Sequence, residues 1–376
     1  MKKLLVVFGT RPEAIKMAPL VKCIADSNEF TLEVCVTAQH REMLDQVLEL
    51  FEINPCYDLD IMKPGQSLSE VTSRILNATK DVLNHFEPDL VLVHGDTTTT
   101  LATALSAYYE KIDVAHVEAG LRTNDIYSPH PEELNRKLTA AISKFNFCPT
   151  IAARDNLLSE GISAAKCFVT GNTVIDALHT VEGIISHKPE KMAAIADDLK
   201  LVDITKKIIL VTAHRRENFG SGLQQICDAI LQLSKSCPTV EIVFPVHLNP
   251  NVRNVVFETL GNLENVKLLP PLEYFTFTYL LKHVYIVLTD SGGLQEEAPF
   301  FRIPVLVMRD KTERHEAVSA GTVKLVGTRT ERIVREVTTL LVDKDKYRTM
   351  ASAVNPYGDG TASKQILKIL ENTYAN

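Results

Sequence analysis

Val287-Leu288-Thr289-Asp290-Ser291-Gly292-Gly293-Leu294-Gln295-Glu296-Glu297-Ala298-Pro299 is an apolar run that ends in Thr-Asp, followed by a turn of small residues and a helical stretch. The run predicts a buried parallel strand and Leu294 onward a helix, so Ser-Gly-Gly is the turn at the strand's carboxyl end. Glycines let backbone N–H groups come close to a ligand, and the start of a helix turns its positive dipole end toward it. A phosphate suits such a turn. Glu297, about one helical turn in, is placed to accept hydrogen bonds from the sugar hydroxyls of a nucleotide. The plain alternative is a strand–helix turn with an ordinary cap.

The same unit recurs outward from this stretch. Leu4–Phe8 reads as a buried strand, and Pro12 sits where a first helical turn tolerates a missing N–H, opening a helix to about Ala25. The loop Gly9-Thr10-Arg11 lacks the G-x-G-x-x-G spacing of a dinucleotide site, so no nicotinamide cofactor is expected. Arg11 and Lys16 lie where both can face the strand's carboxyl end; for Lys16 alone a solvated position is the simpler reading. Leu32–Thr37 is a second strand. Asp89–Val93 ends in His94-Gly95-Asp96, and Ile112–Val117 ends in Glu118-Ala119-Gly120. Neighbouring strands would set Asp96 and Glu118 roughly one or two spacings of ~4.8 Å apart. Taken singly, Asp96 reads equally as a helix N-cap and Glu118 as an ion-pair partner of Arg122. His94 and His116 suggest a metal, but no H-E-x-x-H accompanies them, and satisfied core histidines are the expectation. Ser128-Pro129-His130-Pro131 is a stiffened loop that presents Glu132 ahead of a helix containing Arg136.

At 376 residues, two domains are the prior, and the boundary falls near 170, where Gly171-Asn172-Thr173 restarts the pattern. Lys207–Thr212 ends in the cationic turn Ala213-His214-Arg215-Arg216-Glu217-Asn218; Val240–Val246, Asn265–Leu269, Tyr285–Thr289 and Pro304–Val307 supply a second parallel sheet. Tyr274–Tyr279 is an aromatic segment whose rings read first as core, though one could stack on a base, and Arg309–Arg314 brings cations after the last of these strands. The fold class is therefore α/β, two Rossmann-like parallel-sheet domains facing across a cleft, acidic groups from the first and phosphate-binding groups from the second.

Hydrophobic residues make up 45% of the chain and charged residues 23%, values of an ordered globular protein. A formal net charge of −7 argues against non-specific nucleic-acid or membrane-surface binding while leaving room for a local basic cleft. The seven cysteines are scattered without a C-x-x-C pair and read as reduced core residues. The apolar run at the N-terminus is too short for a signal sequence and no other run spans a bilayer, so a cytoplasmic protein is expected.

Phe8–Lys16, His94–Thr99, His116–Arg122, His214–Asn218 and Asp290–Pro299 together resemble the non-hydrolysing UDP-N-acetylglucosamine 2-epimerase family. The resemblance spans nearly the whole chain. It implies the two-domain fold of many glycosyltransferases (GT-B-like), with domains 1–170 and 171–360, a last helix at 361–376 packing back on the first domain, and a homodimer. It also implies reversible C2 epimerisation of UDP-N-acetylglucosamine to UDP-N-acetylmannosamine: anti elimination of UDP to a glycal, then re-addition, with no cofactor and no metal, supplying cell-surface polysaccharide. Carried over by motif, Asp96, Glu118 and Glu132 are acid/base candidates and His214 assists at the diphosphate. Arg11 and Lys16 line the substrate site; Ser291, Gly292, Gly293 and Arg314 hold the diphosphate, Glu297 the ribose, and Phe277 with the Leu272 backbone the uracil. His130 stands where members often carry an aromatic residue, and Leu272 where they carry Gln. Relatives that bind a second UDP-N-acetylglucosamine use the stretches matched by Gln39–Gln46 and Lys63–Gln66, where Glu42 and Gly65 depart from the pattern and imply weak activation at most.

The chemistry asks for these residue types. The C2 hydrogen is not flanked by a carbonyl, so departure of UDP must be assisted while a base acts, and inversion needs titratable groups on both faces of C2. A glycosyltransferase of this fold would need one base and an acceptor groove. A hydrolysing relative would release free N-acetylmannosamine, and a nucleotide-sugar sensor would have no use for three carboxylates.

Overall fold

In the computed structural model, which describes residues 1–38, 41–63, 65–187 and 192–374, the chain alternates strands and helices almost from its first residue. The elements are β1 (Lys2–Phe8), α1 (Arg11–Ser27), β2 (Phe30–Val36), α2 (Arg41–Leu50), β3 (Tyr57–Asp58), α3 (Leu68–Phe86), β4 (Leu90–His94) and α4 (Thr98–Tyr109). There follow β5 (Asp113–Val117), α5 (Glu132–Ile142), β6 (Phe145–Cys148), α6 (Ile151–Ser159), β7 (Cys167–Val169), α7 (Thr173–His187), α8 (Met192–Asp198), β8 (Ile208–Thr212) and α9 (Ser221–Ser236). Then come β9 (Glu241–Pro245), α10 (Pro250–Leu260), β10 (Val266–Leu269), α11 (Tyr274–Lys282), β11 (Val284–Thr289), α12 (Leu294–Glu297) and β12 (Val305–Val307). The last are α13 (His315–Ala320), β13 (Val323–Leu325), α14 (Thr330–Val342), α15 (Lys344–Ala351) and α16 (Ala362–Tyr374).

Two compact units result, one of Met1–Thr180 with Tyr357–Asn376 and one of Val181–Pro356. The first holds a parallel sheet ordered β3-β2-β1-β4-β5-β6-β7, the second a parallel sheet ordered β10-β9-β8-β11-β12-β13. Both orders reverse direction once, between β1 and β4 and between β8 and β11. In doubly wound sheets such a switch point opens a crevice at the carboxyl ends of the strands, because the helices on either side leave in opposite directions.

The strands are apolar because helices cover both faces. Leu4 to Phe8 and Leu90 to Val93 are fully buried, as are Leu210, Val211 and Ile286 to Leu288 in the second unit. Helix starts are set by side chains. Thr10 and Glu13 form a capping box on α1 with Pro12 in the first turn, and Thr97 and Thr150 cap α4 and α6. Helix α16 lies on α1. Its first N–H groups, Ala362 and Ser363, donate to the buried Asp176 at 3.2 and 2.8 Å, and Tyr374 Oη at its far end donates to Asp113 at 2.8 Å.

Three short strands, β3, β7 and β13, carry too few apolar residues to announce themselves in the sequence. The helix expected from Leu294 onward is brief: α12 passes after Glu297 into a 3₁₀ turn, Ala298–Phe301, with Pro299 in it.

Candidate functional site

At the switch point of the first sheet, the turns after β1 and β4 are tied together by Glu13. Its carboxylate accepts from the N–H groups of Gly9 and Thr10 at 3.2 and 2.8 Å and from the hydroxyls of Thr97 and Thr100 at 2.7 and 3.2 Å. Burial raises the Glu13 carboxyl, against the pull of these donors. Glu13 was not singled out from the sequence, although its place three residues after Thr10 is the capping-box signal.

Beside this knot stand the carboxylates. Strands β4 and β5 are neighbours, with His94 opposite Val117, so Asp96 and Glu118 follow adjacent strand ends. Glu118 is buried and has a left-handed backbone, φ 64°. Its partner is Lys16 rather than Arg122; Arg122 pairs with Glu160 at 2.8 Å. Lys16 is therefore buried, not solvated, because the ion pair offsets the loss of water around the ammonium. Asn172 Nδ2 donates to the same Glu118 oxygen, Oε2, at 2.8 Å, and His94 Nε2 lies 3.8 Å from it.

Asp96 caps nothing with its side chain, since Thr97 is the N-cap of α4. The Arg136 guanidinium holds it instead through Nε at 2.9 Å and Nη2 at 2.7 Å, and Asn135 Nδ2 donates to its backbone carbonyl at 2.8 Å. Arg136 also meets the fully buried Glu133 at 2.7 Å, and Glu133 accepts from the N–H groups of Thr123 and Asn124. This network fixes the loop before α5. Glu132 opens that helix, one turn before Arg136, with Oε2 buried and without a hydrogen-bond partner among the described residues.

The histidines differ from the expected satisfied core pair. His116 Nε2 bonds the Gly95 carbonyl at 2.6 Å, but among the described residues neither ring nitrogen of the buried His94 has a hydrogen-bond partner. Burial pushes both rings down to about 4, so both are neutral at physiological pH. Among the described residues no group of three or more His, Cys, Asp or Glu is placed to hold a metal ion. Arg11 starts α1, one turn and a half before Lys16.

In the second unit the turns after β8 and β11 meet at the other switch point, and Asp290 joins them. Fully buried, it accepts from the N–H groups of His214 and Arg215 at 2.9 and 2.8 Å and from Asn218 Nδ2 at 3.1 Å. His214 Nδ1 lies 3.3 Å from Asp290, and its ring stacks on His247. Burial lowers the His214 ring, against Asp290. Asp290 belongs to the opening stretch, yet its role could be seen only once β8 and β11 were adjacent.

The Ser-Gly-Gly turn is backed by Arg314. A Cβ on Gly292 would lie 2.6 Å from Arg314 Nη1 and 2.8 Å from Cζ, so glycine is what lets the guanidinium lie against the turn. Arg314 in turn is gripped by Glu313 and by the fully buried Glu296, whose oxygen is 2.8 Å from its Nε. Burial alone would raise the Glu313 carboxyl, but Arg314 and Arg309 hold it down at about 2. The Glu297 carboxylate lies over Gly293, 3.6 Å from where a Cβ would stand. Thr289 Oγ1 accepts from the Ser291 N–H at 2.8 Å. Helix α11 packs on the 3₁₀ turn behind this cradle; it carries Phe277, half-buried, and starts just after the buried Leu272.

Gln39, His40 and Pro64, and the side chains of Arg41, Glu42 and Arg216, lie outside the described residues. Gly65, the other departure in the second-site stretches, is a turn residue with φ 75°.

With the geometry in place, the comparisons with known proteins are specific. A family model described as UDP-N-acetylglucosamine 2-epimerase matches residues 22–371. A UDP-N-acetylglucosamine 2-epimerase of Escherichia coli O157:H7 is 57% identical over 370 residues, 98% of each chain. A crystal structure of the Neisseria meningitidis UDP-GlcNAc 2-epimerase bound to UDP-GlcNAc superposes with a TM-score of 0.94 at 53% identity, covering 98% of this chain and 100% of that one. An S. aureus MnaA–UDP co-structure superposes with a TM-score of 0.90 at 46% identity, covering 100% and 97%.

Proposed function

The chain belongs to the UDP-N-acetylglucosamine 2-epimerase family, and we propose that it interconverts UDP-N-acetylglucosamine and UDP-N-acetylmannosamine without hydrolysis, by anti elimination of UDP to a glycal and re-addition of UDP after C2 is reprotonated on the other face. One observation carries the reading. The switch point of the first sheet gathers carboxylates, with Asp96 and Glu118 each set on its own cation, while the switch point of the second gathers the Ser-Gly-Gly turn, His214 and Arg314.

Each group then has a task. The cradle of Ser291, Gly292, Gly293 and Arg314 takes the diphosphate and, with His214, stabilises the charge that builds on it as the C1–oxygen bond breaks. Glu297 accepts from the ribose hydroxyls, and Phe277 with the Leu272 backbone receives the uracil. Asp96, Glu118 and Glu132 remove the C2 proton and return one from the opposite side, with Arg11 and Lys16 lining the sugar site. Among the described residues no helix is long and apolar enough to cross a membrane. We read the enzyme as a cytoplasmic homodimer that feeds cell-surface polysaccharide assembly, with weak activation at most by a second substrate molecule. A hyperbolic reverse-rate curve and a two-chain mass by light scattering are the expected results.

The deciding experiment is incubation with UDP-N-acetylglucosamine alone in heavy water. UDP-N-acetylmannosamine carrying deuterium at C2 is expected, because the returning proton comes from a side chain that exchanges with solvent. Protium retained at C2, or a requirement for added NAD, would remove the elimination route. Free N-acetylmannosamine would indicate a hydrolysing enzyme, and turnover only with an added acceptor a glycosyltransferase.

A further inference from the structure

Asn172 stands just ahead of α7, the helix within which the chain leaves the first unit, and it is 2% exposed. Every polar group of its amide and its backbone N–H is engaged in a definite direction. The backbone N–H donates to the Tyr357 carbonyl at 2.8 Å, where the chain re-enters the unit. Oδ1 accepts from the Val174 N–H at 3.0 Å, closing the start of α7, and Nδ2 donates to Glu118 Oε2 at 2.8 Å. Lys16 from α1 and His94 from β4 also face that carboxylate. Lys16 and Asn172 both bind Oε2. Near Oε1 stands Gly95, where even an added Cβ would remain 3.7 Å away.

We propose that Asn172 is a positioning residue for Glu118, fixing Oε2 so that the plane in which the carboxylate meets the substrate is set. The inference rests on the reading of Glu118 as an acid/base group. Lys16 alone cannot set that plane, because an ammonium is a compact charge on a flexible stem and attracts without directing. A planar amide locked at its other end by Val174 does direct. An amide is also the one side chain of this size that caps a helix through an oxygen while donating to a carboxylate through a nitrogen. Aspartate in its place would set a second carboxylate beside Glu118.

The test separates the cap from the carboxylate contact. Asn172→Ser keeps an acceptor for α7 but loses the donor to Glu118. Its melting temperature, KM and UDP affinity by calorimetry should stay near native, while kcat falls by about ten- to a hundredfold, the cost of a misaligned reacting group. In a Glu118→Gln background the same change should lower kcat no further. Asn172→Asp regains a donor only when its own carboxyl is protonated, so its kcat relative to the native enzyme should rise as the pH is lowered. Native kcat in a folded Asn172→Ser variant, or an equal loss in the Glu118→Gln background, would overturn the proposal. Should the serine variant not fold, a pH-independent ratio for Asn172→Asp would overturn it as well. Normal turnover in Glu118→Gln itself is a different outcome and would withdraw the catalytic role of Glu118.

Discussion

Glu118 has a left-handed backbone and takes Lys16 and Asn172 on one oxygen, so its neighbours hold a conformation that costs a non-glycine residue about 1–3 kcal/mol. That expense suits a group whose position matters. Asp96→Asn, Glu118→Gln and Glu132→Gln should each lower turnover by about two orders of magnitude or more, with UDP affinity retained in calorimetry, as expected for a lost acid or base. Normal turnover in all three would remove the assignment. The neutral histidines beside these carboxylates give a second expectation. Their rings titrate near 6.5 when exposed and near 4 when folded, so between those values the unfolded chain binds more protons. Stability is therefore full above 6.5 and falls as pH drops toward 4, by up to about 3 kcal/mol for each ring. His94→Asn and His116→Asn should flatten the melting temperature against pH in that window, and an unchanged slope would count against it. Residue types at strand ends made Asp96 and Glu118 visible in the sequence. That Lys16, Arg136 and Asn172 are their partners was not visible, because these come from other elements and pair through space rather than by spacing.

At the scale of elements, the Ser-Gly-Gly turn works through what stands behind it. The strand β11 and the turn were legible from an apolar run meeting small residues, but the brevity of α12 was not, since a proline is tolerated in a first helical turn and Pro299 alone does not say where regular helix stops. Arg314 lies twenty-one residues beyond Gly293 and reaches the turn because β12 brings the chain back to the same edge. Gly292→Ala should therefore fold, since the atom it strikes is the end of a flexible side chain. The displaced guanidinium should weaken UDP binding by about 1.5–3 kcal/mol, the worth of a charge-assisted contact. Arg314→Ala and Glu297→Ala should cost UDP affinity on the same scale. Unchanged affinity by calorimetry would show that the cradle is elsewhere. Acid should also loosen it. Glu313, held at about 2, contributes stability that is full above its ordinary 4.5 and lost as pH falls below it, so Glu313→Gln should reduce the loss of melting temperature in acid.

At the scale of the molecule, apolar clusters lie within each unit. One is built on Ile209, Val211, Ile226, Phe244 and Ile286, and others on Leu5, Val7, Val91 and Val93 and on Ala119, Cys148 and Leu157. The alternation of strand and helix made two parallel-sheet domains legible in advance. The ends of the first unit were harder to read, because α16 is polar over much of its surface and its partner α1 lies more than three hundred residues earlier. Ile366 and Leu370 on α16 are fully buried, and Asp176 is satisfied by the first N–H groups of that helix. Ending the chain at Gly360 would expose the apolar surface beneath these side chains, a loss of about 1.5–3 kcal/mol for each, and would leave a buried carboxyl without its donors. The first unit should then melt well below the second in calorimetry. Ligand linkage assigns the transitions, since UDP at a hundred times its dissociation constant adds about 2.7 kcal/mol to whatever binds it. That shift should appear on the second unit's transition in the truncated chain and vanish with Arg314→Ala. A truncated chain that melts as the native one does would show that α16 is not part of the first unit's core.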